Sequence, residues 1–324
     1  MKPEDMKSIV RRLTPLECER LMGFPDSYLD IGDVKGGPTP DSPRYKACGN
    51  SWGVNCAAWV TKRIHDWDMV HGGRGITNYA TVCSGVEAQS LALKACGIDA
   101  RGVFFSEIEP FPCRVLAARY PSVPNLGDMT KIAINDINEN QKEITNGTTR
   151  IILDGELDLF SGGTPCQDFS VAGKRAGGER GSGTRSSLCW TWLDLIRDLR
   201  PRWIVWENVP GCLSSGKPVH GSDFAQLASA VAELGYDCAW RTLDVQYTRV
   251  DSFPRAIPQR RRRVWLVGHL GANGDGIGLG AAAEVLFERE SLLGNTPPCR
   301  RTGQGAAAGT EGGAHGADSD VEGR

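Results

Sequence analysis

Residues 162–170 read Gly-Gly-Thr-Pro-Cys-Gln-Asp-Phe-Ser. The apolar run at 157–160 precedes them and predicts a buried strand, which the glycines and the proline end in a tight loop. Open α/β folds bind ligands at the carboxyl ends of their strands, so Cys166 is expected at a ligand-binding edge. Two interpretations of Cys166 stay open on this local pattern. It is a nucleophile whose thiolate the loop amides favour, or it is a small buried structural residue.

The composition and net charge limit the classes of protein to which this chain can belong. The chain has 324 residues, of which 40% are apolar, which suits one large or two smaller α/β domains. It has no apolar run of about 18 residues and no signal-peptide pattern, so no membrane segment is expected. The 11 cysteines include no CxxC pair, which favours reduced thiols and argues against a zinc site. The net charge of −2 means that any contact with nucleic acid must come from a local basic cluster, such as 260–263.

Strand and helix patterns alternate along the chain after residue 78. A helix is predicted from Thr14 to about Met22, and a second one opens at Gly49. The later strands are predicted at 79–83, 101–107, 157–160, 203–206, 236–245 and 264–268. The helices between them are predicted at 86–96, 111–119, 188–199 and 224–234. This alternation predicts an α/β fold with a mostly parallel sheet and helices on both faces.

Three further features place polar residues at strand ends. Glu207 directly follows an apolar strand and precedes Asn-Val-Pro-Gly, a position typical of a site residue. Arg261 and Arg263 alternate as the arginine run enters a strand, so they are expected on one face. Glu107 ends the second strand, where nucleotide-binding folds hold ribose hydroxyls.

These segments together resemble the DNA cytosine-5 methyltransferases. Residues 165–167 resemble the nucleophile motif Pro-Cys-Gln, 207–209 the motif Glu-Asn-Val, and 259–263 the motif QxRxR. Residues 12–26 resemble the ninth motif of the family and residues 49–52 the tenth. The resemblance covers about residues 11–268. It implies a Rossmann-like, S-adenosylmethionine-dependent methyltransferase fold.

The order of the motifs departs from the family pattern. Motifs nine and ten precede motifs one to eight, so the chain is identified as a circularly permuted member of phage or bacterial type. The expected domains are a permuted helical segment at 1–64, a linker at 65–78, the catalytic core at 79–268, and a truncated, largely disordered recognition region at 269–324. The cofactor turn at 83–88 reads Cys-Ser-Gly-Val-Glu-Ala, where the family has FxGxGG.

The resemblance also implies roles for individual residues. The thiolate of Cys166 would add to carbon 6 of a flipped cytosine. Glu207 would hold ring nitrogen 3 and the exocyclic amine, and Arg263 the 2-carbonyl oxygen. The residues expected to bind S-adenosylmethionine are Ser84, Gly85, Glu107 (ribose), Ile108 (adenine face), Asp128 (adenine amine), Asn50, Ser51 and Trp52. Those expected to contact DNA are Arg261 (a backbone phosphate), Gln259 and Arg185. No metal is expected.

Alternatives to this function remain open. An RNA cytosine-5 methyltransferase, in particular one acting on tRNA, would share the nucleophile and Glu-Asn-Val motifs. A DNA-binding subunit that has lost turnover would not need the intact set of Cys166, Glu207 and Arg263. The partner is expected to be DNA with a cytosine target, with a separate recognition subunit as an option. A monomer in the cytoplasm of a bacterial or phage-infected cell is expected. Neither the target sequence nor membership of a restriction-modification system is predicted.

Overall fold

A six-stranded sheet organises the computed structural model, which describes residues 11–165, 187–216, 219–255, 257–271 and 280–287. The strands of the chain are β1 (Asn78–Val82), β2 (Arg101–Ser106), β3 (Ala133–Asn138), β4 (Gln141–Thr145), β5 (Arg150–Asp154), β6 (Leu159–Gly162), β7 (Trp203–Asn208), β8 (Tyr236–Asp244) and β9 (Arg262–Leu270). The central sheet has the order β2-β1-β6-β7-β9-β8. Its first four strands are parallel, and β9 runs antiparallel to both of its neighbours. This topology confirms the predicted α/β class.

Helices cover both faces of this sheet. They are α1 (Pro15–Met22), α2 (Asp41–Asn50), α3 (Val54–Val70), α4 (Ala88–Ala95), α5 (Pro110–Arg119), α6 (Ser187–Leu199), α7 (Ser222–Glu233) and α8 (Ala281–Leu286). On one face the hydroxyl of Tyr79 contacts Ser90 of α4. On the other face Trp192 of α6 lies against Gly162. The predicted fold, with helices on both faces, is therefore confirmed. Among the described residues no helix is long and apolar enough to cross a bilayer.

The N-terminal segment follows its prediction at α1 and departs from it afterwards. Thr14 and Glu17 form a capping box, and α1 ends at Gly23 in a left-handed conformation. The helix predicted to open at Gly49 begins instead at Val54, because the chain is extended at 51–53, and Gly49 and Asn50 end the preceding helix α2, which was not predicted. Gly53 packs so closely on Val245 that a Cβ there would lie 2.4 Å from its Cγ2 atom. The inner face predicted for the second helix is buried on α3: Val54, Ala57, Ala58, Val60 and Ile64.

Two further elements were not predicted. Strands β3, β4 and β5 form a separate antiparallel sheet between α5 and β6. Its core position Ile144 stands alone among polar residues, while Leu153 ends a run of three apolar residues, so the sequence shows no clear alternation. Helix α8 lies inside the stretch interpreted as a recognition region, and its apolar residues are buried. It belongs to the compact unit Met1–Leu286, while nearly all of the second unit, Phe287–Arg324, falls outside the described residues.

The predicted linker at 65–78 is shorter and better anchored than expected. Helix α3 continues to Val70, which leaves only 71–77 before β1. Asp68 of α3 forms an ion pair with Arg202 at the start of β7. The buried Asp158 forms ion pairs through its Oδ1 atom with Nη1 of Arg202 at 2.9 Å and with Nη2 of Arg74 at 2.7 Å. Charged groups therefore fix both ends of this connection to the sheet.

Candidate active site

A cavity opens at the carboxyl ends of β1, β6 and β7. Six residues predicted from the sequence line it: Asn50, Ser51, Trp52, Ser84, Gly85 and Glu207. They come from three distant segments of the chain and meet because neighbouring parallel strands end at one edge of the sheet. Their individual roles stay predictions. Cys166 and Arg185 lie outside the described residues.

The turn after β1 carries the most unusual backbone of the cavity. Cys83, Gly85 and Glu87 all have left-handed conformations, with φ of 50°, 56° and 66°. The Gly85 amide donates to Oε2 of Glu107 at 2.7 Å. Oε1 of Glu107 accepts the amides of Ile108 and of the next residue, both at 2.8 Å. Three backbone amides thus orient the Glu107 carboxylate toward the turn and leave it room for one further donor.

Ile108 and Asp128, the two residues predicted for the adenine, do not line the cavity, and neither does Glu107. Ile108 is 69% exposed. Oδ1 of Asp128 accepts the amide and hydroxyl of Thr130 at 3.0 and 2.8 Å, which starts a short 3-10 turn. Oδ1 of Asn125 accepts the amides of Glu107 and Gly127 and so holds the two loops together. Contact of these residues with adenine stays a prediction.

Glu207 and Arg263 face each other at the other end of the cavity. Glu207 is 8% exposed at the end of β7, and Nε of Arg263 lies 3.1 Å from its Oε1. Oε1 nevertheless has no hydrogen-bond partner among the described residues. Burial raises the pKa of Glu207 to about 7, against the charges of Arg263 and Arg261 and a contact with the Trp52 indole, which lower it. Burial therefore favours the protonated form of this carboxyl group far more than in a solvent-exposed glutamate.

Arg261 takes a position that the sequence did not predict. Its Nη2 atom donates to the carbonyl oxygens of Gly49, at 3.0 Å, and Ser51. Burial and the neighbouring Arg263 lower its pKa to about 10. Arg261 and Arg263 both act on Glu207, while Arg262 is exposed, so the predicted alternation is confirmed. Binding of a phosphate by Arg261 stays a prediction, as does contact of the half-buried Gln259 with DNA.

The loop that leads to Cys166 is tied to β7 at its first residues. The Trp206 indole donates to Oγ1 of Thr164 at 2.9 Å, and the Asn208 amide donates to its carbonyl at 2.9 Å. The residue before it, Gly163, passes so close to Trp52 that a Cβ would lie 2.9 Å from the indole nitrogen. The chain is thus positioned tightly two residues before Cys166.

Several residues of the cavity were missed by the sequence analysis. Glu87 and Ser161 line it, and Thr164 and Trp206 support it. Glu87 stands where the family pattern has a glycine, which was a signal that the sequence did contain. Ser161 and Trp206 lie inside apolar strands, and no local pattern distinguishes them from core residues.

The chain is similar to known DNA methylases and methyltransferases. The family model described as "C-5 cytosine-specific DNA methylase" matches residues 2–66 and 78–275. A DNA N-6-adenine-methyltransferase of Escherichia phage P1 is 35% identical over 276 residues, which are 71% of this chain and 32% of that protein. The type II methyltransferase M.Sau3AI of Staphylococcus aureus is 35% identical over 136 residues, 42% of this chain and 31% of that protein. This chain spans about a third of the length of these two relatives.

Among solved structures, the Dnmt2 methyltransferase of S. pombe is 15% identical with a TM-score of 0.40. The match covers 60% of this chain and 49% of that one.

Proposed function

Because the chain belongs to the C-5 cytosine-specific DNA methylase family, we propose that it methylates carbon 5 of cytosine in DNA. Its methyl donor is S-adenosylmethionine, the cofactor of this family. The observation that carries the proposal is the carboxyl of Glu207, which is buried, paired with Arg263, and has one oxygen free of hydrogen bonds. Such a group is arranged to receive a polar ring edge.

The reaction needs activation of the cytosine ring because carbon 5 is a poor nucleophile. Addition of a thiolate to carbon 6 produces an enamine, in which carbon 5 becomes nucleophilic. We assign the thiolate to Cys166, because Gly163, three residues earlier in the chain, passes close to Glu207 and Trp52. The target base has to leave the duplex to reach this site, at a cost of a few kcal/mol.

Glu207 would stabilise the ring while sulfur adds. Its protonated form donates to ring nitrogen 3, and the second oxygen accepts a proton of the exocyclic amine. A pKa of about 7 makes this protonated form available at neutral pH. Arg263 would turn its guanidinium toward the 2-carbonyl oxygen, where negative charge also develops.

The cavity fits the cofactor along the edge of the sheet. It runs from the β1 turn, beside Glu107, past β6 to Glu207 on β7, and neighbouring strands are about 4.8 Å apart. The cofactor supplies an electrophilic methyl group on a sulfonium. The chain's own residues would hold the ribose at Glu107 and the adenine beside Ile108 and Asp128, with Asn50, Ser51 and Trp52 closing the cavity from the N-terminal segment.

The circular permutation is part of the proposal. It is supported by how closely the N-terminal segment joins the rest of the compact unit. Nδ2 of Asn55 donates to the carbonyls of Val245 and Thr248 at 2.8 and 2.9 Å. Helix α3 packs on α4, the helix that follows the cofactor turn. These contacts are what we expect if motifs nine and ten, at the N-terminal end of the chain, complete the catalytic domain.

The identity of the product base tests the proposal. The purified chain is incubated with duplex DNA and the cofactor, and the nucleosides are then quantified by mass spectrometry. We expect 5-methyldeoxycytidine, and none in the matched Cys166→Ser variant. A duplex with 5-fluorocytosine should trap a covalent adduct with the wild type only.

The same assay distinguishes the proposed function from its alternatives. N6-methyldeoxyadenosine as product, the activity in the name of the phage P1 relative, would overturn the proposal. Methylation of tRNA in preference to DNA would replace the substrate class. Cofactor binding without any methylated product would favour a DNA-binding subunit that has lost turnover.

A further inference from the structure

Glu87 is a buried carboxyl group that the reaction described above does not use. It is 1% exposed, although it lines the cavity at the start of α4. Its Oε2 accepts the hydroxyl of Thr81 at 2.8 Å and its Oε1 the amide of Ser90 at 3.3 Å. No described residue forms an ion pair with it. A buried carboxylate without a cation is costly, so this group is expected to stay neutral unless a cation arrives from outside the chain.

Ser161 offers a second unsatisfied group beside it. Thr81 of β1 and Ser161 of β6 are paired in the parallel register, so both side chains point to the same face of the sheet. The hydroxyl of Ser161 is fully buried and has no hydrogen-bond partner among the described residues. Glu87 and Ser161 therefore present hydrogen-bond acceptors to the same part of the cavity.

The order of the strands identifies which part of the cofactor reaches them. Glu107 follows β2 and Glu207 lies on β7, while β1 and β6 stand between them. With the ribose at Glu107 and the reacting methyl at Glu207, the amino-acid part of the cofactor is left for the middle of the edge. Its α-ammonium group has three donors and a positive charge, which match a carboxylate and a hydroxyl.

We propose that Glu87 and Ser161 form the subsite for the α-ammonium group of the cofactor, and that Glu87 releases a proton to solvent when this cation binds. The proton balance is simple. The neutral carboxyl of the free protein becomes a carboxylate paired with the ammonium, and one proton passes to the buffer. The inference rests on the cofactor of the family and is independent of which base is methylated.

The groups around Glu87 leave it neutral in the free protein. Burial raises its pKa to about 8, and the negative charge of Glu107 adds to the effect. The phenols of Tyr28, Tyr79 and Tyr120 face the same region, and burial raises the pKa of each. Two cations lie on α5, and both are bound elsewhere: the guanidinium of Arg119 donates to the carbonyls of Ser27 and Tyr28, and that of Arg114 to the carbonyl of Gly32.

Calorimetry measures the proton directly. Cofactor binding is titrated at pH 6.5 in two buffers of different ionisation enthalpy, where both Glu87 and a free α-amino group are almost fully protonated. We expect the wild type to release about one proton with S-adenosylmethionine. The product S-adenosylhomocysteine keeps the ammonium and should give the same release. Methylthioadenosine lacks the amino-acid part and should bind without release.

Matched variants assign the proton to a residue. Glu87→Gln keeps the shape of the neutral acid, and we expect it to abolish the release and weaken cofactor binding about tenfold to a hundredfold. Ser161→Ala should weaken binding a few-fold and keep the release. Glu207→Gln should also keep it, which separates Glu87 from the other buried carboxyl of the cavity.

Three outcomes would overturn the inference. The first is proton release that persists in Glu87→Gln, and the second is proton release on binding of methylthioadenosine. The third is proton release with S-adenosylmethionine but not with S-adenosylhomocysteine, which would mean that the sulfonium causes the release. If Glu87→Gln fails to fold, the three ligands with the wild type still decide. All of these results are independent of the DNA product, so they cannot be confused with failure of the proposed function.

Discussion

Nε of Arg263 lies 3.1 Å from Oε1 of Glu207, yet this oxygen receives no hydrogen bond from any described residue. The pair is thus held by charge alone, with the lone pairs of the carboxyl still available. Close ion pairs that are fully hydrogen-bonded would have to be broken before a substrate could enter. In the proposed function, the base would be received without that cost.

Removing the acidic proton of Glu207 should mainly affect the chemical step. We expect Glu207→Gln to lower kcat by about 10²–10⁴, the usual contribution of a positioned general acid. Cofactor affinity, measured by calorimetry, should stay within about threefold, because the amide keeps the size of the carboxyl. A variant with normal kcat and weakened cofactor binding would remove Glu207 from the base site.

The pH dependence of the chemical step should follow the same carboxyl. Its pKa is raised to about 7, so the protonated donor predominates below pH 7 and disappears above it. The single-turnover rate with saturating DNA and cofactor should therefore fall as pH rises from 7 to 9. The Glu207→Gln variant should show a flat, low profile over the same range. An unchanged wild-type rate up to pH 9 would contradict the assignment of Glu207 as a donor.

Arg261 should act on cofactor binding through the segment it supports. Its guanidinium holds the carbonyls of Gly49 and Ser51, which precede Trp52 in the cavity wall. We expect Arg261→Ala to raise the Kd for S-adenosylmethionine about fivefold to tenfold. Arg262→Ala removes an exposed charge from the next position and should leave this Kd unchanged.

The salt dependence of DNA binding separates the two interpretations of Arg261. A phosphate contact predicts that Arg261→Ala reduces the slope of log K against log salt by about one, with normal cofactor affinity. That result would favour the role predicted from the sequence over the internal support seen in the structure.

Stability should depend on pH through Glu87. A carboxyl whose folded pKa is raised to about 8 binds its proton more tightly in the folded state. Its contribution is fully present below the unfolded pKa and is lost as pH rises through 8, at roughly 1.4 kcal/mol per pKa unit. Urea unfolding at pH 5 and pH 9 should show that Glu87→Gln loses less stability at high pH than the wild type. Parallel losses in both proteins would contradict a neutral, buried Glu87.

Helix α8 should stabilise the compact unit. Arg63 and Arg241 bind its carboxyl-terminal carbonyls, and Trp67 donates to Glu284 at 2.7 Å. Truncation after residue 271 exposes the surface that α8 covers, and we expect Tm to fall by about 5–10 °C. Truncation after residue 298 keeps the helix and should leave Tm unchanged. Equal Tm values for the two truncated proteins would show that α8 contributes little.

Local rules in the sequence were enough for much of the fold. Short-range patterns predict the capping of α1, where Thr14 is the cap, and the inner face of α3, which includes Val54. They also predict the central strands. The break between α2 and α3 depends on the contact of Gly53 with Val245, nearly 200 residues later, so no local pattern contains it.

The candidate site shows the same division. Glu207 and Arg263 were predictable because strand ends and alternation place them. The partners of Arg261 are carbonyl oxygens of a distant loop, which no side-chain pattern can reveal. Glu87 was visible as a departure from the family pattern, but its burial and its lack of a cation are properties of the folded molecule.

The charged anchor between α3 and β7 has a consequence for how this protein could be divided. Asp68, Arg202, Asp158 and Arg74 fix the two ends of the 71–77 connection independently of the peptide bonds between them. Gly72 lies exposed in the middle of that connection. A nick there would sever the backbone while the Asp68–Arg202 ion pair and the α3–α4 contact still held the pieces together. The N-terminal helices could thus be translated as a separate polypeptide that restores the complete unit by complementation, with the Asp68–Arg202 ion pair joining the two fragments.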